Sequence, residues 1–197
     1  MPWNTPNLLT LLRIVLIPLF VMAYYIPAHW ANELAASLFI LAGVTDWLDG
    51  YLARRLNQFS AFGAFLDPVA DKLMIAAALV MLVSDPRVQK AVLDERIFAV
   101  VVVVILGREI AVSALREWMA EVGKRSRVAV SYVGKFKTLS QMFAIGFLIW
   151  RESVWDLPVL RIGEVLLYIA AGLTFWSMLV YLKAAWPNLV APQRTME

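Results

Sequence analysis

Residues 46–71 read DWLDGYLARRLNQFSAFGAFLDPVAD, and this stretch places four carboxylates inside a sequence that is otherwise strongly apolar. Asp46 and Asp49 are three residues apart, and Asp67 and Asp71 are four apart. On a helix, either spacing puts both carboxylates of a pair on one face. A charged residue near hydrocarbon costs about 2.5–3.5 kcal/mol on insertion scales, so four aspartates need compensating positive charge. Hard oxygen ligands suit divalent cations, and we therefore expect a metal site between two membrane helices.

The composition of the chain is that of a membrane protein. Hydrophobic residues make up 61% of its 197 residues and charged residues 17%, and the mean hydropathy is +0.71. The absence of cysteine excludes disulfides and cysteine-bound metals, and the single histidine, His29, argues against a histidine-rich metal site. The net charge of +3 suits lipid headgroups and phosphorylated substrates, so we expect membrane lipids and no nucleic acid as partners.

Six apolar segments have the length that a bilayer demands, about 20 residues each. They lie at residues 8–26, 33–56, 63–83, 96–119, 133–150 and 162–186. No tandem repeat, low-complexity linker or soluble domain separates them. We therefore expect residues 1–197 to form a single all-α domain, a polytopic integral membrane protein with six transmembrane helices.

Basic residues near the segment ends predict the orientation of the chain. The loop at 27–32 contains no Lys or Arg, whereas the next loop contains Arg54 and Arg55, and the fourth loop is the richest in basic residues. Alternation then puts the second and fourth loops and both termini in the cytoplasm. The ends of the second and third helices that carry the aspartates are expected to face the same compartment.

The full spacing, D-x2-D-G-x2-A-R-x8-G-x3-D-x3-D, resembles the signature of the CDP-alcohol phosphotransferases. Every fixed position of that signature is present: Asp46, Asp49, Gly50, Ala53, Arg54, Gly63, Asp67 and Asp71. The resemblance implies a metal-dependent reaction in which an alcohol attacks the nonnucleotide phosphorus of a CDP-linked lipid or alcohol, and CMP leaves. It also implies two bound divalent cations, Mg2+ or Mn2+, and a homodimer.

The resemblance assigns roles to the four aspartates. Asp46, Asp49 and Asp67 would be metal ligands. Asp71 would be the general base that accepts the proton of the acceptor hydroxyl, and a place in the metal shell is also open to it.

The remaining signature residues would bind the donor, CDP-diacylglycerol, together with Asp49. Gly50, Ala53 and Gly63 have little or no side chain, which allows close approach of a ligand or of another backbone. Packing between helices is the alternative explanation for these three residues. Arg54 would contact phosphate or organise the acidic cluster.

Cationic residues outside the signature point to a phosphate on the acceptor. Arg108 and Arg116 are eight residues apart on the fourth predicted helix and therefore share a face, and Lys135 and Lys137 begin the fifth. Together they would form a cationic wall that holds the acceptor's phosphate, with arginine providing fork-like donors. Contact with lipid headgroups is the alternative role for basic residues near the membrane surface.

Segments 6–13, 107–110 and 134–138 extend the resemblance to the bacterial branch of the family that makes phosphatidylglycerophosphate. This branch implies sn-glycerol 3-phosphate as the acceptor and the bacterial inner membrane as the location. It also makes Asn7, Thr10 and Arg13 candidate substrate-binding residues. Members that make phosphatidylserine, phosphatidylinositol phosphate or cardiolipin are the alternatives within the family.

A cation or proton transporter would also place aspartates in membrane helices, and it is the alternative from a different class of function. Transport does not explain the segment Gly50-x2-Ala53-Arg54 or the spacing to Gly63. The sequence also lacks an obvious pair of broken helices repeated in two halves, as many transporters have. The residues therefore favour an enzyme.

Overall fold

The computed structural model describes residues 5–56, 61–121 and 132–189, and helices account for nearly all of them. Six of these helices are long and one is short. In chain order they are α1 Thr5–Tyr24, α2 Ala31–Leu56, α3 Ala61–Ser84, α4 Pro86–Ala91, α5 Glu95–Glu121, α6 Tyr132–Trp150 and α7 Val159–Leu189.

The six long helices fall where the six apolar segments predicted them, so the all-α fold class is confirmed. Among the described residues, three stretches are long and apolar enough to cross a membrane: Asn7–Tyr24, Glu95–Met119 and Val159–Lys183. Thr138–Trp150 is apolar but shorter. Helices α2 and α3 carry the charged signature. The count of six transmembrane spans therefore stays a prediction.

Hydropathy did not predict α4, because its six residues are too few to show a periodic pattern. The residues at the start of α4 nevertheless have a sequence pattern that is typical of a helix N-terminus. The Asp85 carboxylate accepts a hydrogen bond from the backbone N–H of Arg87 at 2.8 Å, and Pro86 takes the first helical position. An aspartate cap followed by proline is a common helix start.

The long helices pack side by side and alternate in direction along the chain, so α5 and α7, which are separated in sequence by α6, run the same way. Helix α1 packs on α2 and α3, α6 packs on α2 and α7, and α5 packs on α3 and α7. The core between them is apolar and includes the fully buried Phe20, Phe39, Leu79, Leu148 and Leu167. Contacts along α5 and α7, from Leu93 with Glu164 to Arg108 with Ser177, show the shared direction.

This arrangement gives the bundle two distinct ends. The starts of α1, α3 and α6 and the ends of α2, α5 and α7 lie at one end, which we call the site end because it carries the aspartates. The opposite end carries a second group of polar residues, the Asp85 cluster, made by Tyr24, Asn32, Asp85, Arg87 and Arg151.

The Asp85 cluster joins four helices through hydrogen bonds that are buried or partly buried. The Asp85 carboxylate accepts from the Tyr24 hydroxyl at 2.9 Å and from Arg151 Nη1 at 2.6 Å. Arg151 also donates from Nη2 to Asn32 Oδ1 at 2.5 Å, and its guanidinium lies 5.0 Å from the centre of the Tyr24 ring. Burial acts to raise the pKa of Asp85, but hydrogen bonds from Arg87 and Tyr24 and the charge of Arg151 lower it to about 2. The ends of α1, α3 and α6 and the start of α2 are therefore tied together by an ionised carboxylate.

Candidate active site

At the site end, an arginine of α1 lies between two aspartates of α2. Arg13 Nη1 is 2.7 Å from Asp46 Oδ1, and Arg13 Nη2 donates to Asp49 Oδ2. The three-residue spacing of the aspartates puts both on one face of α2, where Arg13 of α1 contacts them. The side chain of Arg13 is 1% exposed and that of Asp49 is 5% exposed, whereas that of Asp46 is 45% exposed. One guanidinium therefore bridges a buried carboxylate and an accessible one.

Helix α1 also contacts the aspartates of α3. The Thr10 hydroxyl donates to Asp67 Oδ1 at 2.6 Å. Thr10 precedes Arg13 by about one turn, and Asn7 precedes Thr10 by another, so the three share a face, on which all three are buried. The structure therefore brings two candidate residues of segment 6–13, Thr10 and Arg13, to the signature aspartates from a helix that the signature does not include.

Asp71 lies one turn beyond Asp67 on α3 and is partly buried. It interacts electrostatically with Asp46 and Arg13, and also with Glu109 of α5. The neighbouring Lys72 turns to α5 and donates to the Ser113 hydroxyl. Glu109 was not among the predicted site residues. An acidic residue in the apolar run of α5 was the signal that could have identified it.

The small residues of the signature are placed differently from one another. A Cβ added at Gly50 would meet the Arg54 guanidinium, with Nη1 at 3.6 Å, and no neighbouring helix within 4 Å among the described residues. Helix packing therefore does not explain this glycine. Arg54 is exposed, Ala53 is half-buried and Gly63 is buried.

The predicted cationic wall is only partly described. Arg108 is buried, with Nη1 donating to Glu109 at 2.7 Å and Nη2 to Ser177 at 3.2 Å. The Arg116 guanidinium lies 5.4 Å from the centre of the Tyr181 ring. Both arginines thus contact α7, which agrees with a shared face on α5. The side chains of two further predicted members lie outside the described residues: Lys135 and Lys137.

The aspartates fit a divalent cation by their chemistry. Carboxylate oxygens are hard donors that suit Mg2+ and Mn2+, and the Arg13 guanidinium already places positive charge between Asp46 and Asp49. In the described arrangement, no three His, Cys, Asp or Glu side chains are close enough to hold a metal ion. The aspartates are therefore chemically suitable as metal ligands, and two of them, Asp46 and Asp49, are paired with Arg13.

A cavity of about 370 Å³ lies between α5 and α7, lined by apolar side chains such as Leu115, Trp118 and Met178. Its lining contains no signature aspartate and no charged side chain. An apolar cavity of this kind does not suit a charged ligand, and it is separate from the group of aspartates.

Comparisons with known proteins agree with the signature. A family model described as CDP-alcohol phosphatidyltransferase matches residues 3–176. Curated relatives include proteins of Shigella flexneri serotype 5b (strain 8401) and Escherichia coli (strain K12), both named "CDP-diacylglycerol--glycerol-3-phosphate 3-phosphatidyltransferase". Each is 50% identical over 190 residues, which cover 96% of this chain and 99% of the relative.

Proposed function

The chain belongs to the CDP-alcohol phosphatidyltransferase family, and from this premise we propose that it transfers the phosphatidyl group of CDP-diacylglycerol to sn-glycerol 3-phosphate. The observation that carries the choice of substrates is the 50% identity, over 96% of the chain, to relatives named for this reaction. The products are phosphatidylglycerophosphate and CMP, which assigns the enzyme to phosphatidylglycerol and cardiolipin synthesis.

In the proposed reaction, a hydroxyl oxygen of glycerol 3-phosphate forms a bond to the phosphorus of the diacylglycerol phosphate. The bond from that phosphorus to the bridging oxygen breaks, and CMP leaves with the electron pair. Asp71 accepts the proton of the attacking hydroxyl. Its position on α3, one turn from Asp67 and partly buried at the site end, supports this role.

In this proposal Asp46, Asp49 and Asp67 would hold two divalent cations, and Asp71 would be open to the same role. When bound, Mg2+ or Mn2+ polarises the phosphoryl oxygen and stabilises the charge that develops on departing CMP. The carboxylate donor set supports this assignment, as does the position of the Arg13 guanidinium between Asp46 and Asp49.

The two substrates approach different parts of the site in this proposal. The CDP headgroup binds along α2 and the start of α3, through Asp49, Gly50, Ala53, Arg54 and Gly63. This placement is supported by the surroundings of Gly50, where an added Cβ would meet the Arg54 guanidinium and no neighbouring helix within 4 Å among the described residues. We also propose that Asn7, Thr10 and Arg13 of α1 contact substrate there, and the contacts of Thr10 with Asp67 and of Arg13 with Asp49 support this.

The acceptor's phosphate binds to the cationic wall of Arg108, Arg116, Lys135 and Lys137. Arg108 supports this placement because its Nε is buried without a hydrogen-bond partner in the described part of the chain. An unpaired buried donor of this kind is stabilised when an anionic oxygen binds to it.

The protein is an integral membrane protein, and we propose that it lies in the bacterial inner membrane with its site end in the cytoplasm. The bacterial sources of the relatives and the basic residues at the site end support this location. We further propose that residues 1–197 form one domain that acts as a homodimer.

Purified enzyme, CDP-diacylglycerol, Mg2+ and a panel of acceptors test the reaction directly. We expect CMP release with glycerol 3-phosphate, and its loss when a chelator removes the metal. CMP release with only serine, inositol phosphate or phosphatidylglycerol as acceptor would contradict the proposed substrate. Ion uptake by vesicles without lipid synthesis would favour the transport alternative, which the family membership does not support.

A further inference from the structure

The contact between Arg13 and the two aspartates of α2 is more than a link between helices. Arg13 uses its two terminal nitrogens on two different carboxylates, Asp46 and Asp49. It reaches them from a helix outside the signature, and its side chain is 1% exposed. A single buried cation that bridges two carboxylates does what a bound metal ion would do at the same place.

Burial makes this bridge necessary when no metal is present. The side chain of Asp49 is 5% exposed, and an ionised carboxylate removed from water needs an opposite charge. Asp46 and Asp67 lie close enough to Asp49 to repel it. Arg13 offsets part of this negative charge within the protein itself.

The same bridge opposes metal binding. Arg13 engages one oxygen of Asp46 and one of Asp49, the two carboxylates of α2 that are proposed as metal ligands. A ligand that requires a minor state binds with an apparent affinity reduced by the population of that state. The apparent affinity for the metal is therefore lower when a larger fraction of molecules has Arg13 bound to the two carboxylates.

The fit of the guanidinium is incomplete, which leaves its pairing reversible. Arg13 Nε is buried without a hydrogen-bond partner among the described residues. Nη1 contacts Asp46 as an ion pair but lacks hydrogen-bond geometry there. A guanidinium with unused buried donors is held less firmly than a fully satisfied one.

We propose that Arg13 is a built-in counter-cation, which neutralises Asp46 and Asp49 in the metal-free enzyme and competes with the divalent metal for them. This inference rests on the proposed function, because the metal of the transfer reaction is the competitor. Arg13 is thus a positioning residue: it keeps the acidic site paired inside the membrane until metal arrives.

The competition between Arg13 and the metal can be tested by titrating purified protein with Mn2+ in the absence of substrates. Electron paramagnetic resonance then measures the bound and free Mn2+. If Arg13 holds the carboxylates about nine-tenths of the time, Arg13→Gln should tighten the dissociation constant for Mn2+ about tenfold. The metal-free variant should also melt at a lower temperature than the wild type, and Mn2+ should raise its melting temperature by more.

Arg55→Gln is the matched control. Arg55 is an exposed arginine at the end of α2 that carries Asp46 and Asp49, and it donates a hydrogen bond to the Tyr51 hydroxyl. This substitution should leave Mn2+ affinity unchanged. Arg13→Lys retains the charge but cannot bridge two carboxylates in the same way, so it should tighten Mn2+ binding by less than Gln does. It also serves as the test if Arg13→Gln does not fold.

Unchanged or weaker Mn2+ binding in the folded Arg13 variants would overturn the inference, since Arg13 would then support the metal site or be indifferent to it. That result leaves the transfer reaction standing, because CMP release by the wild type is measured separately. Absence of Mn2+ binding by the wild type itself would overturn both this inference and the metal dependence of the proposed function.

Discussion

Substitution of Asp71 is expected to slow the transfer reaction without weakening the binding of the donor. Asp71→Asn keeps the shape of the side chain but removes its ability to accept the acceptor's proton. We expect turnover to fall by about 10²–10⁴-fold, the usual range for a general base, while affinity for CDP-diacylglycerol changes little. Rates of CMP release and equilibrium binding of the donor, both at saturating Mg2+, measure the two effects.

The opposite result also has a clear interpretation. If Asp71→Asn loses metal and donor binding together, Asp71 belongs to the metal shell and another group accepts the proton. Asp67→Asn is the useful comparison, because Asp67 lies one turn away on α3 and is proposed only as a metal ligand. Asp67→Asn should weaken the metal dependence of turnover, whichever role Asp71 has.

Arg108 tests how the acceptor is recognised. Loss of one charge-assisted hydrogen bond costs about 1.5–3 kcal/mol, which corresponds to roughly a tenfold to hundredfold change. Arg108→Gln should therefore raise the Michaelis constant for glycerol 3-phosphate by about that factor and leave the constant for CDP-diacylglycerol nearly unchanged. Steady-state kinetics with each substrate varied in turn provide the measurement.

Lys183→Gln is the control for Arg108, because Lys183 is an exposed basic residue in the site-end half of α7. Equal effects of the two substitutions would indicate general attraction to anionic lipid. A loss of folded protein in Arg108→Gln, with normal kinetics of the remainder, would instead make Arg108 a structural partner of Glu109 and Ser177.

At the scale of the helices, the Asp85 cluster is expected to contribute stability without taking part in the reaction. Asp85→Asn leaves Arg151 without its buried anionic partner, and breaking such a pair costs about 3–5 kcal/mol. We expect a lower melting temperature in detergent and normal turnover per folded molecule. Arg87→Gln is the milder control, because the Arg87 side chain is 63% exposed and surface ion pairs contribute about 0–1 kcal/mol.

The contribution of Asp85 should also depend on pH in a defined direction. Folding lowers its pKa from 3.8 to about 2, despite burial, through hydrogen bonds from Arg87 and Tyr24 and the charge of Arg151. The folded state therefore binds fewer protons than the unfolded state, and the stabilisation is complete above the unfolded pKa. Between about pH 4 and pH 2, the difference in melting temperature between the wild type and Asp85→Asn should shrink; a constant difference would contradict this account.

At the scale of the whole molecule, the site end and the Asp85 end should face opposite sides of the membrane. The chain contains no cysteine, so single cysteines report on this without a background. Leu93, 70% exposed, lies at the Asp85 end, and Leu56, 47% exposed, lies at the site end. An impermeant thiol reagent should label Leu93→Cys in intact spheroplasts and Leu56→Cys only after lysis, whereas the reverse pattern would place the site outside the cytoplasm.

Local sequence features predicted the helices, but they did not predict which helices meet. Hydropathy predicted all six long helices, because a membrane helix is recognised by its own residues. The four aspartates were found by spacing alone. Their pairing with Arg13 spans up to 36 residues and depends on how α1 packs against α2, which no helical periodicity reports.

The same reasoning explains what was missed elsewhere. Asp85 reaches Tyr24 and Arg151, which are 61 and 66 residues away, and hydropathy assigns these residues only to segment ends. Glu109 gave a weak signal as an acid in an apolar run. Such isolated charges in apolar segments show that a partner is needed but do not identify it.

The order of these charges along the chain has a consequence for biogenesis. Helix α1 carries Arg13 and no acidic residue, so it leaves the ribosome with a charge that costs about 2.5–3.5 kcal/mol to insert. The carboxylates that neutralise this charge arrive only with the end of α2. The smallest unit that enters lipid with its charges paired is therefore the α1–α2 hairpin, and we expect α1 to stay beside the insertion machinery until α2 has been synthesised.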